Sequence, residues 1–149
     1  MRRFVASGMG VGLLPHRLWG RHDGAGSLGT VLAAIAGLTL WAVSWWWGAA
    51  IAAASIAVSL WAAAPFAVDG QDPGWVAIDE VAGTFVAMIA LTGWPWLLSI
   101  AVFRFADITK ALPGLKAAER LDGALGVTAD DVLAGLYGLA AGAALAALI

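Results

Sequence analysis

A chain of 149 residues has the length of one domain, yet 62% of it is hydrophobic and only 12% is charged, about half the charged share of a soluble domain. That composition points to an integral membrane protein rather than a soluble core, and a net charge of −2 argues against a nucleic-acid partner. The absence of cysteine excludes disulfides, a thiolate nucleophile and a cysteine zinc site.

Met1-Arg2-Arg3-Phe4 begins like a secretory signal, but the apolar run behind it is short, rich in glycine and stopped by Pro15 and His16, so a cleaved signal is not expected. Residues 1–27 read as a glycine-rich cytoplasmic or interfacial segment, with both histidines, His16 and His22, at headgroup level. The uncharged run 28–47 is long enough to cross a hydrocarbon core of ~30 Å. Gly48, after Trp45-Trp46-Trp47, reads as a turn, and a second uncharged run, 49–68, brings the chain back. Asp69-Gly-Gln-Asp72-Pro-Gly74 is a polar turn. A third helix is expected over 75–92, a tight turn at Thr92-Gly-Trp94-Pro95-Trp96, and a fourth helix to about Lys110, ended by Leu112-Pro-Gly114. Residues 111–129 form a cytoplasmic loop with a short helical stretch near 116–121. Asp130-Asp131 open a last apolar helix that reaches Ile149 and is rich in Ala and Gly for close packing. The expected fold is an all-α membrane protein, a single polytopic domain over 1–149 with about five passes: two hairpins and a C-terminal helix.

Tracing these passes puts every charged residue toward one side of the membrane. The two turns on the other side carry no charge and hold Trp45, Trp46, Trp47, Trp94 and Trp96, five of the nine tryptophans. Tryptophan favours the interface and basic loops stay in the cytoplasm, so the charged side is cytoplasmic. Counted from Trp96 at ~1.5 Å per residue, Arg104 lies ~12 Å, Asp107 ~16 Å and Lys110 ~21 Å along the fourth helix, well inside a ~30 Å core. Asp79 and Glu80 reach a similar depth on the neighbouring helix, where a lone charge costs at least ~2.5–3.5 kcal/mol. Opposite charges on the two helices of that hairpin are expected to meet, forming a polar pocket in the cytoplasmic half of the bilayer.

The acids come as Asp79-Glu80 and Asp130-Asp131, with Asp107 between them in sequence. Several carboxylates at one depth suit Mg²⁺, which takes oxygen ligands and shares them with a substrate phosphate. The competing reading is structural: Asp79 and Glu80 neutralise Arg104 and Lys110, while Asp130 and Asp131 cap the last helix. Arg104, Asp107 and Lys110 are spaced by three and share one helix face, and two cations beside a carboxylate cluster suit a phosphorylated ligand. Internal i,i+3 pairing is the alternative there. Gly24-Ala-Gly26-Ser27-Leu28-Gly29-Thr30, at the start of the first spanning helix, is either an anion seat or an ordinary cap.

Three stretches together resemble the phosphatidylglycerophosphatase A family of bacterial inner-membrane lipid phosphatases. They are Asp72-Pro-Gly-Trp-Val-Ala-Ile-Asp79-Glu80-Val-Ala-Gly83, Phe103-Arg104-Phe-Ala-Asp107-Ile-Thr-Lys110, and the run from Glu119 through Gly126 and Asp130-Asp131 to Gly135. The family's first motif is matched loosely by Ala25-Gly26-Ser27-Leu28-Gly29-Thr30, and Ala111, Ala124 and Thr128 depart from its usual residues. The resemblance implies Mg²⁺-dependent hydrolysis of phosphatidylglycerophosphate, a phospholipid substrate drawn from the bilayer, to phosphatidylglycerol and phosphate at the cytoplasmic face of the inner membrane. Asp79, Glu80, Asp130 and Asp131 are then expected to hold the metal, and Asp79, Glu80, Asp107 and Asp130 to take part in catalysis. Arg104, Lys110, Gly26, Ser27 and Thr30 are expected to bind substrate. Water attack and an aspartyl-phosphate intermediate both remain open. A small ion or proton-coupled transporter would use the same charges, but the tryptophan side offers it no polar path beyond Ser44 and Thr92. A non-catalytic lipid-binding protein is the third reading.

Overall fold

A computed structural model describes residues 1–20, 24–40, 45–67 and 73–149, without the side chains of Trp19 and Leu40. Arg21, His22, Asp23, Ser44 and most of the polar turn expected at 69–74 lie outside the described residues. Among those described, all regular structure is helical: α1 (Arg2–Ala6), a 3₁₀ turn (Val11–Leu13), α2 (Leu14–Trp19), α3 (Ala25–Leu40), α4 (Trp45–Ala63), α5 (Ile78–Ala87), α6 (Gly93–Thr109), α7 (Leu115–Glu119) and α8 (Ala124–Ala146).

Several boundaries differ from the sequence reading. Gly48 is no turn; it lies inside α4, which starts at the Trp45 cluster. Nothing in a helix forbids a lone glycine, and the apolar run on both sides carries the helix through it. The third helix covers only Ile78–Ala87, about 15 Å, because Met88 to Ala90 form a turn in which Ala90 takes φ +60°. The tight turn expected at 92–96 is also largely helical, since α6 begins at Gly93. Pro95 is tolerated in that first turn because an amide there has no intrahelical partner to lose. Asp130 and Asp131 do not open α8, which begins at Ala124 after Gly123 (φ +64°), so the capping explanation for that pair fails. The N-terminal segment is partly helical and docked: Ala77 N donates to Ala6 O at 2.9 Å, and Arg2 and Arg3 lie over the rings of Trp61 and Trp75. Among the described residues, α4 and α8 alone are long and apolar enough to cross a membrane by length and composition.

The bundle is built around α8. It packs against α6 and α5 far more extensively than those two pack against each other, and it also touches α4 and α7. Close approach depends on glycine. A Cβ on Gly83 of α5 would stand 2.6 Å from Asp131 O and from the ring of Phe103, and a Cβ on Gly135 of α8 would collide with Gly83 O. Phe103, fully buried, closes this crossing from α6 together with Ala87, Ala106, Leu115 and Ala134. On the far side, Ser59 of α4 and Thr128 of α8 share a buried hydrogen bond of 2.8 Å.

Neighbour relations fix the directions. Gly29 faces Ala77 and Gly37 faces Met88, so α3 and α5 run alike; Gly138 faces Ser99 and Phe103 while Gly142 faces Pro95, so α6 and α8 run oppositely. One end of the bundle therefore gathers the starts of α3, α5 and α8 with the end of α6. The start of α4 meets the turn after α5 at the other end, where Gly48 lies against Ile89 and Ala90, and the start of α6 is at that end too.

Because the α5–α8 crossing has no room for a methyl group, Gly83→Ala should lower stability by about 1–3 kcal/mol through overpacking. Gly48→Ala, whose added Cβ meets nothing nearer than 3.9 Å, should leave the thermal unfolding midpoint in detergent unchanged or slightly raised.

Candidate active site

The two glycines do more than let helices touch. Asp79 stands one helical turn before Gly83, and Asp131 stands one turn before Gly135, so the crossing of the glycines sets the two acid pairs side by side. Asp79 and Glu80 occupy the first turn of α5, where the positive end of the helix dipole favours carboxylates. Asp130 and Asp131 lie in the second turn of α8 with no such help. Asp79, Asp130 and Asp131 are 2%, 6% and 3% exposed.

The third contribution comes from the end of α6. Arg104 Nη1 donates to Asp107 Oδ2 at 2.5 Å, and Lys110 Nζ donates to Asp107 Oδ1 at 3.0 Å and to Asp130 Oδ2. The spacing by three thus places all three groups on one face, as the sequence implied. Lys110 itself has left the helix: it is the cap, with φ +48° and its amide bonded to Ala106 O. A non-glycine residue in that left-handed region is uncommon, and here the ammonium is tied at both carboxylates. The expected meeting of Asp79 and Glu80 with Arg104 and Lys110 is not what organises the site. These cation pairs run within α6 and from α6 to α8, because α8 lies between the helices of the supposed hairpin.

Asp79, Glu80, Asp107, Lys110, Asp130 and Asp131 line one cavity of about 230 Å³, together with Glu119, Gly126 and Val127. Arg104 stands behind Asp107 and reaches across to Ser27 Oγ at 3.3 Å, which ties the start of α3 to the site. Gly26 lies against Glu80, whose carboxylate a Cβ there would overlap. Thr30 is buried with its hydroxyl unpartnered, but it is not among the residues lining the cavity. Glu119, at the end of α7, is a wall residue to which the sequence reading gave no role; its place at the head of the Glu119–Gly135 stretch was the available signal.

The cavity suits a hard cation. Asp79 Oδ1, Asp130 Oδ1 and Asp131 Oδ1 are buried without a hydrogen-bond partner, a condition that costs about 1–3 kcal/mol each unless a ligand relieves it. Carboxylate oxygens of Asp79, Glu80 and Asp131 lie within 4.8 Å of one another, as do those of Asp107, Asp130 and Asp131. An all-oxygen donor set of this kind fits a hard divalent ion, and the adjacent Lys110 and Arg104 fit a phosphate.

Buried acids with basic groups beside them and apolar helices around both are the features expected of a phosphatase that acts on a lipid. The chain belongs to the phosphatidylglycerophosphatase A family, which it matches over residues 4–146. It is 31% identical over 144 residues to a Bacteroides thetaiotaomicron protein described as a putative phosphatidylinositol-3-phosphatase, covering 89% of this chain and 86% of the relative. It is 39% identical over 70 residues to the phosphatidylglycerophosphatase A of Haemophilus influenzae, covering 45% of this chain and 43% of that one. No solved structure is significantly similar to the chain. Family membership makes the protein a hydrolase of phospholipid metabolism, and its two long apolar helices fit a membrane location.

Asp107 holds two cations apart, so Asp107→Asn should destabilise the protein by about 1–3 kcal/mol by leaving them partly unpaired. Adding Arg104→Met should restore part of that loss, which a double-mutant cycle on unfolding midpoints would measure.

Proposed function

We propose that the protein hydrolyses the terminal phosphate of phosphatidylglycerophosphate, giving phosphatidylglycerol and phosphate, with Mg²⁺ held among Asp79, Glu80, Asp130 and Asp131. The observation that carries this reading is the cavity itself: buried carboxylates with unpartnered oxygens share one space with the ammonium of Lys110. Bound there, the ion would offset the charge of the phosphate and lower the pKa of a water molecule. Lys110 exchanges a carboxylate contact for a phosphate oxygen and stabilises the charge that develops there. Arg104, steadied by Asp107 and Ser27, approaches the phosphate from the α3 side, where Gly26 leaves Glu80 its space. Asp130, with one oxygen on Lys110, has Oδ1 left to hold the ion through the attacking water, to accept that water's proton and to pass it to the leaving alcohol oxygen. Hydrolysis then balances as water plus phosphomonoester giving alcohol plus hydrogen phosphate.

The bilayer arrangement belongs to the same proposal. The chain crosses the bacterial inner membrane about five times, with the acid end of the bundle on the cytoplasmic side and the tryptophan end outside. Supporting this are the outward-facing Trp45, Trp46, Trp47, Trp94, Phe105 and Ile108, an apolar surface that lipid would cover. The Bacteroides relative's name supports a second headgroup, an inositol lipid carrying a 3-phosphate, as the competing substrate.

Purified protein in mixed micelles should release phosphate from phosphatidylglycerophosphate with Mg²⁺, faster than from phosphatidylinositol 3-phosphate. Chelator should abolish release, and Asp79→Asn should cut it by about 10²–10³-fold. Release indifferent to chelator and to Asp79→Asn would overturn the mechanism, and a preference for the inositol lipid would overturn the substrate. Topology has its own test, eased by the lack of native cysteine. Trp94→Cys should react with an impermeant thiol reagent from outside intact cells, and Lys116→Cys only after they are opened.

A further inference from the structure

Glu119 is the one acid of the cavity wall to which the reading above gives no task. It stands outside both close-set carboxylate triads, Asp79–Glu80–Asp131 and Asp107–Asp130–Asp131, and unlike their members it is exposed, at the mouth of the cavity. Lys116 stands three residues before it and Arg120 directly after. Even so, among the described residues its carboxylate makes no ion pair or hydrogen bond.

Its place is nonetheless fixed. α7 begins with Leu115, wholly buried beside Phe103, Ala106 and Ala134, and just before it Pro113 O accepts a hydrogen bond from the Tyr137 hydroxyl at 3.0 Å. After α7 the chain lies directly on the first turn of α8, where a Cβ on Gly126 would collide with Leu121 O and stand 3.0 Å from Glu119 O. A five-residue helix is thus pinned at both ends, and it brings one carboxylate to the cavity.

We propose that Glu119 reads the alcohol part of the substrate: its carboxylate accepts a hydrogen bond from a hydroxyl on the carbon next to the phosphorylated one. The inference rests on the lipid-phosphatase reading above and adds the feature of the headgroup that the site selects. A carboxylate accepts hydrogen bonds and repels phosphate oxygens, so what it can recognise beside a phosphate is a donor. In phosphatidylglycerophosphate the donor nearest the phosphate ester is the secondary hydroxyl of the headgroup glycerol. An inositol lipid with a 3-phosphate has hydroxyls on both neighbouring carbons and satisfies the same acceptor. Phosphatidic acid, with an acyl ester on the neighbouring carbon, offers none. The cavity has the space: its volume of about 230 Å³ exceeds the ~150 Å³ that admits a benzene, enough for a phosphate and the carbons next to it. Phosphate and hydroxyl are then held by separate elements, Lys110 at the end of α6 and Glu119 at the end of α7.

Two lipids that differ by that hydroxyl test the assignment: phosphatidylglycerophosphate and a deoxy analogue in which propane-1,3-diol replaces the headgroup glycerol. In mixed micelles with Mg²⁺, wild type should show a kcat/KM at least about tenfold higher on the first, the expected loss for a missing hydrogen bond to a charged group. Glu119→Ala should erase that preference by losing activity on the hydroxyl lipid alone, with turnover of the deoxy lipid unchanged. Glu119→Gln, whose carbonyl still accepts, should keep part of it. An equal loss on both lipids, as a metal-holding or structural role would give, overturns the proposal, and so does a wild type indifferent to the hydroxyl. Calorimetric binding of the non-hydrolysable phosphonate analogues of the two lipids keeps this apart from the activity. The same preference in binding, lost in Glu119→Ala, without any phosphate release supports the role of Glu119 and sinks the hydrolysis; phosphate release with no preference in rate or binding does the reverse.

Discussion

The contact between Gly83 and Gly135 is the constraint on which the rest of the molecule depends. With either position filled, α5 and α8 could not approach closely enough for Asp79 and Asp131 to share a cavity. The same contact decides the place of α6, whose Phe103 ring presses on Gly83 and whose last turn then meets Asp130 through Lys110. Packing and chemistry are therefore not separable here. The residues that exclude space at the crossing stand one helical turn from the residues that line the site.

The outcome is a bundle with two unlike ends. At one, buried carboxylates, two cations and the start of α3 converge; at the other, indole rings face outward and ionisable groups are lacking among the described residues. Burying several acids together is unfavourable without cations. The structure meets that cost partly from within, through Asp107 and Lys110, and partly by leaving oxygens that await a partner. The unpaired oxygens set the cavity apart from a fully satisfied ion-pair network.

Much of this could be read from residue order. The apolar runs, the pairs Asp79-Glu80 and Asp130-Asp131, and the i,i+3 series Arg104, Asp107, Lys110 carry their meaning in their spacing, which a helix converts directly into shared faces. Helix ends were less legible. Gly48 looked like a turn because glycine weakens helices, yet its apolar surroundings prevailed; Asp130-Asp131 looked like a cap because acids favour helix starts, yet Gly123 had already begun the helix. The partner of each charge was least legible of all. Sequence proximity suggested that α5 and α6 would pair, but only the glycines of α8 reveal that it enters between them, and Glu119 reaches the cavity through a chain path that no periodicity describes.

That α8 supplies two of the cavity's acids has a bearing on how the cluster comes together. Without it, α5 offers acids and α6 offers cations with no wall between them, and neither of the two carboxylate triads can be complete. Packing of the bundle and assembly of its carboxylate cluster are thus one event, so a change that loosens the α5–α8 crossing also pulls the acids apart.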